Sequence, residues 1–201
     1  MWCTCQYQPK VQWFIQSDAE HRSMGSQMIK KILLGLGLVA VIILLAGYLL
    51  PRNAHIERSI RIDRPAASVF AIVNSMRQFP KWSPWQDLDP NMKQKFDGPA
   101  EGVGAKMSWS GNDKVGSGTQ IITGSAPDQR VNFDVDFGKM GVAKAAISLI
   151  PAGNSTDVTW TLDADMGAGP IGRYFGLMMD RMVGKDYATG LARLKRLSES
   201  N

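Results

Sequence analysis

Three hydrophobic regimes follow one another along the chain. From Ile32 to Leu50 the residues are uncharged and apolar on every face: ILLGLGLVAVIILLAGYLL. From Ala54 the period changes to two, and Ile56, Ile60 and Ile62 at even positions alternate with His55, Glu57, Ser59 and Arg61. Near the C-terminus apolar residues recur at helical spacing from Ile171 to Leu197. The first regime predicts a membrane span, the second half-buried strands, the third one long amphipathic helix.

As a helix the span would measure about 28 Å, close to the roughly 30 Å of a bilayer's hydrocarbon core. Lys30 and Lys31 flank one end; Tyr48, Pro51 and Arg52 mark the other. No small-x-small cleavage site follows, and Leu45-Ala46-Gly47 leads into Tyr48 where a lipoprotein signal needs cysteine. The segment therefore reads as an uncleaved signal anchor over residues 32–50. The lysine pair directs the N-terminus to the cytoplasm. That places residues 54–201 on the periplasmic side of a bacterial-type inner membrane, held by a single pass. Residues 1–27 are polar and aperiodic and are expected to be a disordered extension, with Met28-Ile29-Lys30-Lys31 as an alternative start. Cys3 and Cys5, with His21 nearby, fall short of the four ligands a structural zinc requires.

After the first strand, Asp63-Arg64-Pro65 ends the alternation, and Val69, Phe70, Ile72 and Val73 give a short helix its apolar face. Pro80 and Pro84 keep residues 79–85 from forming one regular helix. Six strands follow, around residues 93–96, 105–110, 118–124, 131–137, 144–150 and 157–163, separated by Gly-, Pro-, Asn- and Asp-rich turns. Parity gives the sheet two faces. Val131, Phe133, Val135 and Phe137 oppose Asn132, Asp134 and Asp136; Val158, Trp160 and Leu162 oppose Thr159, Thr161 and Asp163. The last helix must cover the apolar face. The expected fold is α+β: a helix-grip, with a curved antiparallel sheet of about seven strands wrapped around a long C-terminal helix.

Charge removes one function class. The formal net charge is +5, but residues 1–53 hold five basic against two acidic residues, and residues 54–201 eighteen against sixteen. Basic residues scattered singly among acids do not track a phosphate backbone, so no nucleic-acid partner is expected. Catalytic parts are equally sparse. After the anchor His55 is the one histidine and cysteine is absent, so Ser-His-Asp, Cys-His and multi-histidine metal sites lack their members. Asp134 and Asp136 read as a wet strand face. Tyr174, Tyr187, Asp180 and Arg181 could serve acid–base chemistry or lie on the surface. No catalytic residue, cofactor or metal is assigned.

The segments Phe79-Pro80-Lys81-Trp82-Ser83-Pro84-Trp85, Asp89-Pro90-Asn91-Met92, Gly102-Val103-Gly104, Trp109-Ser110-Gly111 and Met182-Val183-Gly184-Lys185-Asp186 resemble membrane-anchored members of the SRPBCC (START/pollen-allergen) superfamily, the polyketide cyclase/dehydrase-like proteins. The resemblance runs over about residues 28–201. It implies a hydrophobic cavity between sheet and C-terminal helix, and no single activity. Trp82, Trp85, Trp109, Phe133, Phe137, Trp160, Phe175, Met178 and Met182 are expected to converge there. Any one of them could be ordinary core; large aromatics with flexible thioethers as a set suit a variable apolar guest. Gly172, Gly176, Gly184 and Gly190 weaken the last helix, either for close packing or for gating. The first reading is a membrane-anchored binding module for a lipid or other apolar small molecule. A cyclase/dehydratase-like enzyme is the second. A partner-binding protein whose core is filled by its own side chains is the third, its partner unnamed by the sequence.

Overall fold

A computed structural model describes the backbone of residues 12–138 and 141–200 and the side chains from Met28 onward. Cys3 and Cys5, and the rest of residues 1–11, lie outside the described residues, as does the side chain of His21. The chain divides after Ala46 into two units. The first holds helix α1 (Gln12–Gly47) as far as Ala46, Gly47 belonging to the second; the segment Met28–Gly47 is long and apolar enough to cross a membrane. The helix begins well before the apolar run, so part of the extension expected to lack structure is helical. It also stops at Gly47, leaving Tyr48, Leu49 and Leu50 in a turn.

The second unit is built on one antiparallel sheet. Its strands are β1 (Asn53–Ile62), β2 (Lys93–Asp97), β3 (Lys106–Ser110), β4 (Ser117–Ala126), β5 (Arg130–Asp136), β6 (Val142–Ala152) and β7 (Ser155–Asp165). The spatial order β1-β7-β6-β5-β4-β3-β2 is a meander from β2 to β7, closed by β1 alongside β7. Strand β1 pairs with β7 over its whole length, from Asn53 opposite Asp165 to Ile62 opposite Thr156. Strands β6 and β7 turn through Gly153 and Asn154, where Gly153 at φ 67° supplies the left-handed conformation a two-residue hairpin needs. A bulge between Ile122 and Gly124 shifts the β4–β5 register.

Between β1 and β2 lie α2 (Ala66–Val73), α3 (Phe79–Trp82) and a 3₁₀ turn (Pro84–Asp87). Pro80 and Pro84 sit in the first turns of α3 and the 3₁₀ turn, where a missing N–H costs nothing. The last element, α4 (Pro170–Ser200), runs along β1 and reaches α3 and the 3₁₀ turn. The core is continuous from Ile56 and Ile62 through Val131, Phe133, Val158 and Leu162 to Leu191 and Leu194. The helix-grip expected from sequence is the fold observed, with strand limits within a few residues of those read from parity.

Polar contacts hold the helix to the strand it crosses. The Arg58 guanidinium, on the inner face of β1, donates to Asp180 at 2.8 and 3.1 Å. Nearer the C-terminus, Lys195 donates to the Arg61 carbonyl at 2.9 Å and to Asp63 at 3.1 Å, and Arg193 reaches the Ser83 carbonyl and Asp87. The four glycines of α4 serve close packing. A Cβ at Gly184 would fall on the Arg58 guanidinium, at Gly190 2.8 Å from the Trp160 ring, at Gly176 2.9 Å from Met166 Cγ, and at Gly172 on the Met166 carbonyl oxygen.

Candidate functional site

The inner face of the sheet carries two aromatic groups. The first is closed. Phe79 and Trp82 from α3, Trp85 from the 3₁₀ turn, Trp160 from β7 and Tyr187 from α4 form one packed cluster. Trp160 stacks on Tyr187 with centroids 3.8 Å apart and meets Trp82 and Trp85 edge-on at 5.1 and 6.0 Å. Phe79 closes it against Trp82 at 4.8 Å. Trp82 and Trp160 are buried, and the Trp82 indole N–H has no acceptor among the described residues. Burial pushes the Tyr187 phenol well above its ordinary range, so it stays protonated. Its neighbour Asp186 is half-buried; desolvation raises its carboxyl against the opposing pull of the Trp85 indole N–H.

The second group is open. Trp109 (β3) and Phe137, which follows β5, meet edge-on at 6.0 Å, both half-buried and packed against the core. The Trp109 indole donates to the Val115 carbonyl at 3.1 Å, which fixes the ring over Gly118, where a Cβ would lie 2.5 Å from Cζ2. Phe96, Met166, Met179 and Val183 are likewise only partly covered. Within this apolar wall lies Gln120, 7% exposed, opposite Val135 on one side and Met107 on the other. Among the described residues none hydrogen-bonds its side-chain amide. Phe133 is fully buried, opposite Ile122.

Six of the nine expected site residues thus lie on the inner face, split three and two with Phe133 between. Phe175, Met178 and Met182 do not join them: they are 50%, 58% and 53% exposed. The buried residues of α4 are Gly184, Tyr187, Gly190, Leu191, Leu194 and Ser198. At 100° per residue, Met178 lies about half a turn from Tyr187, so this expectation is corrected by helical phase. Helical spacing alone joined two different stripes. Gln120 was not singled out by sequence, although strand parity puts it on the same face as Ile122. Of the acid–base candidates, Tyr187 is buried in the cluster and Asp180 is spent on Arg58.

Two open depressions lie elsewhere. One of about 540 Å³ is bounded by Lys81, Asp87, Arg193, Arg196, Leu197 and Ser200. The other, about 340 Å³, lies on the polar outer face of β5–β7 around Arg130, Asp134, Lys144 and Asp163. Among the described residues no three His, Cys, Asp or Glu side chains group as metal ligands.

A curved antiparallel sheet, a long C-terminal helix across it and an aromatic apolar interior define a helix-grip domain. Residues 53–199 match the polyketide cyclase / dehydrase and lipid transport family, and the chain belongs to that family. No curated protein matches it. Among solved structures it is similar to norcoclaurine synthase from Thalictrum flavum in complex with dopamine and hydroxybenzaldehyde, at 11% identity over 78% of this chain and 92% of that one, with a TM-score of 0.56. The di-domain ARO/CYC StfQ of the steffimycin biosynthetic pathway is similar at 9% identity, over 74% of this chain and 51% of that one, TM-score 0.55. A protein from Thermobifida fusca matches at 18% identity, over 72% and 93%, TM-score 0.55. At these identities the likeness is one of fold.

Proposed function

We propose that the protein is a membrane-anchored binding module that holds a lipid or other apolar small molecule against the inner face of the sheet, beneath α4. Met28–Gly47 is the anchor, with the folded domain on the side opposite Lys30 and Lys31. The observation that carries the reading is Gln120: a side chain 7% exposed within an apolar wall, whose amide atoms stay reachable and make no hydrogen bond among the described residues. A ligand carbonyl or hydroxyl meeting that amide would add a hydrogen bond worth about 0.5–1.5 kcal/mol. Trp109 and Phe137 supply the adjoining apolar surface, and Phe133 backs it. Burial of the ligand then contributes about 25 cal/mol per Å² of apolar area, while the amide sets its orientation. Family membership supports the same reading, since lipid transport is one of the activities the family is described by.

Native mass spectrometry of the full chain released from detergent micelles, followed by organic extraction, tests it. A discrete small molecule should ride on the wild-type protein at one per chain. Gln120→Leu should lower its occupancy about tenfold, the equivalent of one hydrogen bond of roughly 1.4 kcal/mol. Trp109→Ala should lower it further. Identical adduct masses and occupancies in all three would remove the sheet face as the site.

A second reading rests on Asp186. A carboxyl raised by desolvation beside a protonated Tyr187 is an acid–base candidate for a cyclase or dehydratase acting on a poly-ketone. With an aromatic polyketide surrogate, turnover should then fall as pH drops through the Asp186 pKa, and Asp186→Asn should abolish that limb. No turnover at any pH, or a limb unchanged in Asp186→Asn, would sink the enzyme reading.

A further inference from the structure

The stripe of α4 opposite the core carries Ile171, Phe175, Met178 and Met182 at intervals of four, three and four residues. They are 76%, 50%, 58% and 53% exposed. Among the described residues of the domain none covers this face. Along the same line the helix then turns polar, through Lys185, Thr189 and Arg196, all exposed, with Arg181 exposed on the flank. The outer face is therefore apolar for three turns and cationic after them.

Where the apolar turns lie is fixed by the chain's entry into the domain. Gly47, the last residue of α1, is seated against Pro170 and Tyr174 in the first turns of α4. Arg173 donates to the carbonyls of Tyr48 and Leu50, at 2.6 and 3.1 Å, with its guanidinium 5.7 Å over the Tyr48 ring. Tyr48 and Leu49 are 54% and 88% exposed. A 20-residue span at 1.5 Å per residue covers about 30 Å, so its last residue reaches the edge of the hydrocarbon. The start of α4 touches Gly47 and binds the Tyr48 and Leu50 carbonyls.

We propose that the N-terminal half of α4 is a membrane-docking surface: Ile171, Phe175, Met178 and Met182 lie in the headgroup–acyl boundary of the bilayer the anchor crosses, and Arg181 and Lys185 meet its anionic headgroups. The proposal rests on the anchor reading above. In water these side chains remain solvated at a cost set by their apolar area; in the interface that area is buried, and long basic side chains at the rim reach outward to phosphate. The core-facing Met179 and Val183 belong to the same turns, so one short stretch of helix has the apolar interior on one side and lipid on the other.

The test uses the full chain, carrying Cys3→Ser and Cys5→Ser, in vesicles of phosphatidylethanolamine and phosphatidylglycerol. Nitroxides are placed one at a time at Met178→Cys, Thr189→Cys and Val41→Cys, and collision with oxygen is compared with collision with a water-soluble nickel chelate. The expected result is Val41 deep in the bilayer, position 178 about 5–10 Å below the phosphates, and position 189 in water. If 178 reads like 189 while Val41 is immersed, the docking surface is overturned and the anchor stands. If 178 is shielded from both probes, protein covers the face and the proposal also fails. If Val41 itself is in water, the anchor reading falls and takes this one with it.

Discussion

Trp160→Ala is expected to destabilise the domain by about 3–5 kcal/mol, the range for removing a large aromatic from a packed core. The ring is 2% exposed. It is stacked on Tyr187 at 3.8 Å and met by Trp82, Trp85 and Phe79 at 5.1, 6.0 and 6.3 Å. Those four neighbours come from α3, the 3₁₀ turn and α4, each held by its own backbone, so little of the space would close. Gly190 leans on the same ring and leaves no side chain to fill the gap. Near-UV circular dichroism of the full chain in micelles, followed through thermal unfolding, reads the loss. Trp85→Ala, at a half-buried position, should cost less. A change below about 1 kcal/mol for Trp160→Ala would mean that the ring lines a space rather than filling one, and would return the closed cluster to the candidate site. That outcome bears on function directly, because sequence alone placed Trp82, Trp85 and Trp160 in a ligand cavity.

The sheet was legible because its two faces differ. Wherever one face is wet, alternation of apolar and polar residues fixes strand, parity and approximate ends, as in Val131–Phe137 and residues 157–163. The aromatic cluster was not legible as a closed unit, since Trp82 and Trp160 meet only through a strand order that parity does not encode. Helix α4 shows why spacing misleads. Its outward stripe carries Phe175, Met178 and Met182, while the inward face of its first half sets Met179 and Val183 among Gly172, Gly176, Asp180 and Gly184. Choosing the face by side-chain size selects the exposed one. The inward face is glycine-rich because β1 lies close beneath it, and close approach is a property of the pair of elements. Gln120 escaped for a related reason: a polar residue at an inner strand position has the same sequence signature whether it pairs with protein or with a ligand.

Gly172→Ala should therefore invert the usual rule for helices. In an exposed helix interior this substitution stabilises by up to about 1 kcal/mol. Here the new Cβ would fall on the backbone carbonyl oxygen of Met166. That carbonyl has little freedom to move. The Met166 N–H donates to the Arg52 carbonyl at 2.9 Å, and Asp165 next to it accepts from the Arg52 side chain and from the Gly167 N–H at 2.8 Å. These contacts also hold the Asp165 carboxyl down at a pKa of about 2. The helix must shift instead, at an expected net loss of about 1–3 kcal/mol, the usual cost of overpacking. Gly176→Ala is the internal comparison, because its Cβ meets the flexible side chain of the same methionine at 2.9 Å. The thioether can swing aside, so the helix-propensity gain and the contact should nearly cancel. Unfolding of both variants in parallel decides the matter. If Gly172→Ala proves as stable as Gly176→Ala, or more stable than wild type, the first turn of α4 is not seated on Met166.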